Sequence, residues 1–89
     1  MYQVEFRPQA AQEFEGLDET VASRVLKKLR WLAGNFDSIK PEPLAGPLAG
    51  LFKLRVGDYR VIYQPEREKK ALIVLMLGHR REIFDRSTD

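Results

Sequence analysis

The segment "LFKLRVGDYRVIYQ", Leu51 to Gln64, decides the fold. Two runs of alternating apolar and polar residues flank Gly57 and Asp58. That pattern specifies a β-hairpin, because glycine reaches the backbone conformations that match strand twist. A two-residue turn also sets the register. Val56 falls opposite Tyr59, Arg55 opposite Arg60, Leu54 opposite Val61 and Lys53 opposite Ile62. Phe52, Leu54, Val56, Tyr59, Val61 and Tyr63 then share a core face, and Lys53, Arg55, Arg60 and Ile62 share the other. Like charges directly opposite each other repel. Either Arg55 and Arg60 spread into water or pair with nearby carboxylates, or they are held ready for an anion. Two guanidinium groups on a rigid sheet are well suited to gripping phosphate.

Towards the C-terminus, "QPEREKK" reads as a polar connection in which Pro65 ends the strand. "ALIVLML", Ala71 to Leu77, is a continuous apolar run bounded by turn signals. It suits a central strand covered on both faces. The simplest pairing is antiparallel to Tyr59–Gln64, which carries His79, Arg80 and Arg81 to the end of the sheet that holds Arg55 and Arg60. His79 is the only histidine. Cations plus one group that titrates near pH 6.5 suit phosphodiester cleavage in RNA. That reaction needs a base for the 2′-hydroxyl, an acid for the leaving oxygen and positive charge around the phosphorane. Phe84 fits a base-stacking role. Each residue also has a plainer reading: His79 as a surface residue, Phe84 as a core plug, Arg81 as an ion-pair partner of Glu82 or Asp85.

Towards the N-terminus, "YQVEF" alternates as a short strand. Pro8 suits the first turn of a helix, which Ala10, Ala11 and Phe14 continue and Gly16 ends. Asp18 is placed to cap a second helix. Val21, Val25, Leu29, Leu32 and Phe36 form its apolar stripe, with Arg24, Lys27, Lys28 and Arg30 mostly off it. Trp31 lies beside the stripe, free to cover a neighbouring element or a partner. The two helices form a hairpin lying on the sheet. "KPEPLAGPLAG" reads as a loop, pinned to the core by Leu44 and Leu48; its doubled "PLAG" is too short to build a repeat fold.

With 89 residues, 44% hydrophobic and 31% charged, the chain is sized for one globular domain, residues 1–89. The net charge of +2 is unevenly placed. Residues 1–50 carry six Lys/Arg and seven Asp/Glu; residues 51–86 carry nine and five. A basic C-terminal half points to a polyanion partner or, more plainly, to a solvated sheet face. The absence of cysteine suits a reducing cytoplasm. The N-terminus does not read as a signal peptide, and no apolar run is long enough to span a membrane. One histidine, no cysteine and no carboxylate grouping with ligand spacing argue against metal hydrolysis. No phosphate-cradling glycine loop, nucleophile elbow or helix-turn-helix is visible.

"GLFKLRVGDYRVIYQ" followed by "LIVLMLGHRREIF", behind a strand and a helical hairpin, resembles the RelE/ParE superfamily of bacterial toxin–antitoxin toxins over nearly the whole chain. The resemblance implies an α+β fold: a small antiparallel β-sheet packed against an N-terminal helical hairpin. RelE-like members cleave mRNA in the ribosomal A site without metal or other cofactor. The resemblance matches Lys53 to a basic residue on the strand opening the hairpin. It matches Arg60 to the arginine that contacts the scissile phosphate, and Arg80 or Arg81 to an arginine of the last motif. Two positions depart from the pattern. Leu51 stands where some members carry a second basic residue, and Phe84 stands where a catalytic tyrosine is often found. Other members rely on histidine, which makes His79 the candidate for proton transfer. The implied partners are a cognate antitoxin protein that neutralises the toxin, mRNA on the ribosome, and operator DNA only through the antitoxin complex. ParE-like members share the scaffold and poison DNA gyrase. The alternatives are therefore a gyrase inhibitor, or a catalytically weak member acting through antitoxin binding and operon autoregulation.

Overall fold

A computed structural model describes residues 1–83. The element order is β1 (Gln3–Phe6), α1 (Pro8–Glu15), α2 (Glu19–Asn35), β2 (Glu42–Pro43), β3 (Phe52–Val56), β4 (Tyr59–Glu66) and β5 (Ala71–His79). The five strands form one sheet in the order β1-β5-β4-β3-β2. Both helices lie on one face of it, α1 over β5 and β1, α2 over β1 and β3.

The β3–β4 hairpin has the expected register, from Phe52 opposite Tyr63 to Val56 opposite Tyr59. Gly57 takes φ +59°, the left-handed conformation that only glycine adopts without steric cost. The α+β class and the antiparallel β4–β5 pairing also match expectation, with β5 fully buried from Ala71 to Val74. The sheet is mixed rather than purely antiparallel, because β1 runs parallel to β5, Gln3 pairing with Ala71 and Phe6 with Val74. All the elements from α1 to β4 lie between these two strands in the chain, a connection long enough for parallel neighbours.

Two local expectations are corrected, and the β4–β5 ladder carries an irregularity. Pro65 does not end β4, which continues to Glu66. Pro65 pairs with Leu72 on one side, while β3 stops opposite Tyr63 on the other, so its missing N–H falls on an open edge. The segment after Lys40 is not all loop. Glu42 and Pro43 add a two-residue edge strand to β3, and Gly46–Leu48 make a 3₁₀ turn. A β-bulge shifts the β4–β5 register between Ile62 and Tyr63, so that Met76 faces Ile62 and Val74 faces Tyr63, leaving Leu75 over.

The main core lies between helices and sheet, around Val25, Leu29, Leu32, Phe36, Tyr63 and Leu72. Phe36 packs edge-on against both Tyr2 and Tyr63. A second, smaller cluster covers the other face with Leu44, Ile62 and Ile83, supported by Leu48, Leu51 and Met76. Leu44 and Leu48 pin the loop as the sequence implies. Asp18 occupies the cap position of α2 without a side-chain capping bond.

Burial pushes the Tyr63 hydroxyl up to about 12, and burial with a hydrogen bond to Asp37 also raises that of Tyr2. The unfolded state therefore ionises first as pH rises through 10.0, and the folded state holds more protons until about 12. Stability is predicted to fall across that window by up to roughly 1.4 kcal/mol per pH unit for Tyr63. Urea unfolding from pH 9 to 12 checks this: Tyr63→Phe should flatten most of the slope, leaving the part due to Tyr2.

Candidate anion-binding site

Strand alternation divides the expected cluster between two faces. Arg55 and Arg60 are direct cross-strand partners on the face away from the helices, beside Lys53 and Ile62. Gly78 is Arg60's partner on β5, and His79 is Tyr59's. The β5 end thus arrives at the hairpin end as the sequence implies. The backbone N–H of Arg80 donates to the Asp58 carbonyl at 2.7 Å, tying the two together.

The arginine face has a defined bonding pattern. Arg60 donates from Nη1 to the carbonyls of Gly57 and Tyr59, both at 3.0 Å, which folds its guanidinium back over the turn. The fork has five donors, so an anion can be held by the others. Arg55 donates from Nη2 to Glu42 Oε2 at 3.2 Å. Lys53 Nζ stands 3.9 Å from the same oxygen. Lys53 is only 3% exposed, so it lies beneath this face rather than on it. Arg80 and Arg81 are exposed at the rim and have no ion-pair partner among the described residues. Phe84, the proposed stacking residue, lies outside the described residues.

His79 is not in this cluster. It shares the helix-side face with Tyr59, whose ring it meets edge-on at 5.4 Å. The cleft in front of it is lined by Gln9 and by Glu13, Asp18 and Glu82, whose carboxylates disfavour a phosphate. Its Nδ1 accepts the Arg81 N–H at 3.2 Å, which places the proton of the neutral ring on Nε2. Its carbonyl accepts from Glu82 and Ile83, closing a tight turn. That turn seats Ile83 and Glu82 over Gly78: a Cβ there would meet Glu82 Oε1 at 3.1 Å. Arg60 is thus opposed on β5 by a residue with no side chain.

Two residues unmarked by the sequence shape the two faces. Glu42 sits between two prolines, which favour extended backbone, but a two-residue strand has no periodicity to find. Glu13 on α1 accepts the Leu77 N–H at 2.8 Å, beyond the point where β1 stops at Val74. It stands in for the missing strand.

A second surface lies between α2 and β3. Trp31 is 46% exposed, with Lys28 Nζ 4.6 Å from its ring centroid. Arg24, Lys27, Arg55 and Val56 continue the groove. Among the described residues, no helix is long and apolar enough to cross a membrane.

A family model described as the ParE toxin of the type II toxin–antitoxin system parDE matches residues 4–84. A putative RelE-like toxin protein from Escherichia coli is 31% identical over 84 residues, covering 89% of this chain and 83% of that one. Among solved structures, the toxin–antitoxin complex RelBE2 from Mycobacterium tuberculosis superposes with TM-score 0.79 at 26% identity, covering 88% of this chain and 96% of that one. The isolated RelE toxin of E. coli superposes with TM-score 0.75 at 26% identity, covering 89% and 84%.

Removing Glu13's acceptor would leave the Leu77 N–H unpaired. Glu13→Ala is predicted to cost about 1–3 kcal/mol in urea unfolding and to speed hydrogen exchange at Leu77. Glu13→Gln, which keeps an acceptor oxygen, should recover most of both.

Proposed function

The chain belongs to the RelE/ParE superfamily of type II toxin–antitoxin toxins, and we propose that it acts as a ribosome-dependent, metal-independent mRNA endonuclease neutralised by a cognate antitoxin. The observation that carries the proposal is the Arg55–Arg60 cross-strand pair at a rigid hairpin end, with Arg80 tied to the same turn. Strand pairing forces like charges together there, and a phosphate would relieve the repulsion.

In this reading Arg60 grips the scissile phosphate through donors not used on the turn, and Arg80 or Arg81 closes on it from the rim. Arg55 takes a neighbouring phosphate. Charge building on the phosphorane is stabilised by guanidinium groups already held by strand backbone, with little reorganisation. Lys53, next to the arginines but covered, supplies proton transfer only if it is uncovered on the ribosome. His79 keeps the turn that presents Arg80 and Arg81, since its ring faces a carboxylate-lined cleft.

The antitoxin is assigned to the Trp31 groove. The M. tuberculosis relative of known structure is a toxin–antitoxin complex. Here an exposed tryptophan among Arg24, Lys27 and Lys28 favours an acidic, partly disordered segment. Operator DNA would be met through that complex, and the site of action would be the cytoplasm.

Phe84 in place of the expected tyrosine, and a family model described as ParE, favour gyrase inhibition as the second reading. Induced expression with primer-extension mapping of mRNA separates the two. Codon-aligned cuts are predicted, falling about 10²-fold or more with Arg60→Ala and surviving His79→Ala at reduced level. Intact mRNA with arrested supercoiling would favour the gyrase reading, and unaffected growth would overturn both.

A further inference from the structure

We infer that Glu42 is an internal competitor for phosphate: an acidic side chain, carried in by the two-residue edge strand, that occupies the cations of the arginine face until a nucleic-acid phosphate displaces it. The inference rests on the proposed RNA-binding role of that face.

The placement comes from the backbone. Glu42 pairs with Lys53, so both side chains project from the same face as Arg55 and Arg60. One oxygen, Oε2, lies 3.2 Å from Arg55 Nη2 and 3.9 Å from Lys53 Nζ. Two cations thus converge on one carboxylate oxygen, as they would on a phosphate oxygen. The two cations differ in access. The Lys53 side chain is 1% exposed, whereas those of Arg55 and Glu42 are 47% and 45% exposed. The Arg55–Glu42 pair is therefore open to solvent and weak enough to exchange. β2 is itself only two residues long and lies at the sheet edge, so its side chain can swing away without breaking a long ladder. The carboxylate also offsets the Arg55–Arg60 repulsion while the site is empty.

Two consequences follow. A lone phosphate gains little from replacing one anion with another. A polyanion that also reaches Arg60 and the rim arginines gains those contacts, so the carboxylate selects for a chain of phosphates. Binding must also strip Arg55 from Glu42, which lowers net affinity in exchange for that selectivity.

The test is binding of a short 2′-O-methyl RNA, which lacks an attackable hydroxyl, to the full chain over a range of salt. Glu42→Gln, which keeps an acceptor for Arg55 and loses the charge, should bind about two- to fivefold tighter with a steeper salt dependence. Glu42→Asp, charged but shorter by one methylene, should fall between Gln and native. In an Arg55→Ala background most of the Glu42→Gln gain should vanish. Equal or weaker binding by folded Glu42→Gln, with Arg60→Ala still weaker than native, would overturn the competitor role and leave RNA binding standing. A gain that survives Arg55→Ala would overturn it too, as a mere change in net charge. No binding by any variant would overturn the RNA reading together with the inference.

Discussion

The arrangement depends on the pairing of Arg55 with Arg60 across the Gly57-Asp58 turn. A two-residue turn with Gly57 at φ +59° leaves no freedom in register, so these two side chains must leave the sheet from neighbouring positions on one face. The surroundings offset the resulting repulsion piece by piece. Arg60 turns back onto the carbonyls of Gly57 and Tyr59, and Arg55 reaches out to Glu42. On the third strand Arg60 faces Gly78, which adds no charge of its own and is covered by Glu82 and Ile83.

The same alternation that gathers the arginines sends His79 elsewhere. Neighbouring residues on a strand point to opposite faces, so Gly78 joins Arg60 and His79 joins Tyr59. Proximity along the chain is therefore misleading: the histidine is adjacent to Arg80 in sequence, but its ring stands against a tyrosine over a carboxylate-lined cleft. The pattern leaves Arg55 and Arg60 on one face, with Lys53 buried beneath it, and His79 on the other.

Much of this was legible in the sequence, for physical reasons. The hairpin was readable because alternation and a glycine turn leave one register, and β5 because the apolar run Ala71 to Leu77 between turn signals suits a covered strand. The α2 stripe from Val25 to Leu32 was readable from its period. What escaped has equally definite causes. β1 alternates whether it pairs parallel or antiparallel, so its direction was invisible. β2 is too short for any period. Pro65 signals a break in a fully paired strand but not at a position whose outer edge is open. Glu13 and Glu42 are charged residues with no motif, important only for what three-dimensional packing sets against them. The side of the sheet taken by His79 was not legible, because the Gly57-Asp58 turn fixes β3 against β4 and says nothing of the β4–β5 register, which carries a bulge.

The central claim is that the face bearing Arg55, Arg60 and Arg80 is where nucleic acid sits, and that the His79 cleft is not. An NMR titration of the isotope-labelled chain with a short 2′-O-methyl RNA tests it most directly. The account predicts that shifts concentrate at Lys53, Arg55, Gly57, Arg60 and Arg80, including the arginine side-chain signals, with Glu13 and the His79 ring little changed. Shifts centred instead on Glu13, Tyr59 and the His79 ring, with Arg55 and Arg60 unmoved, would contradict it.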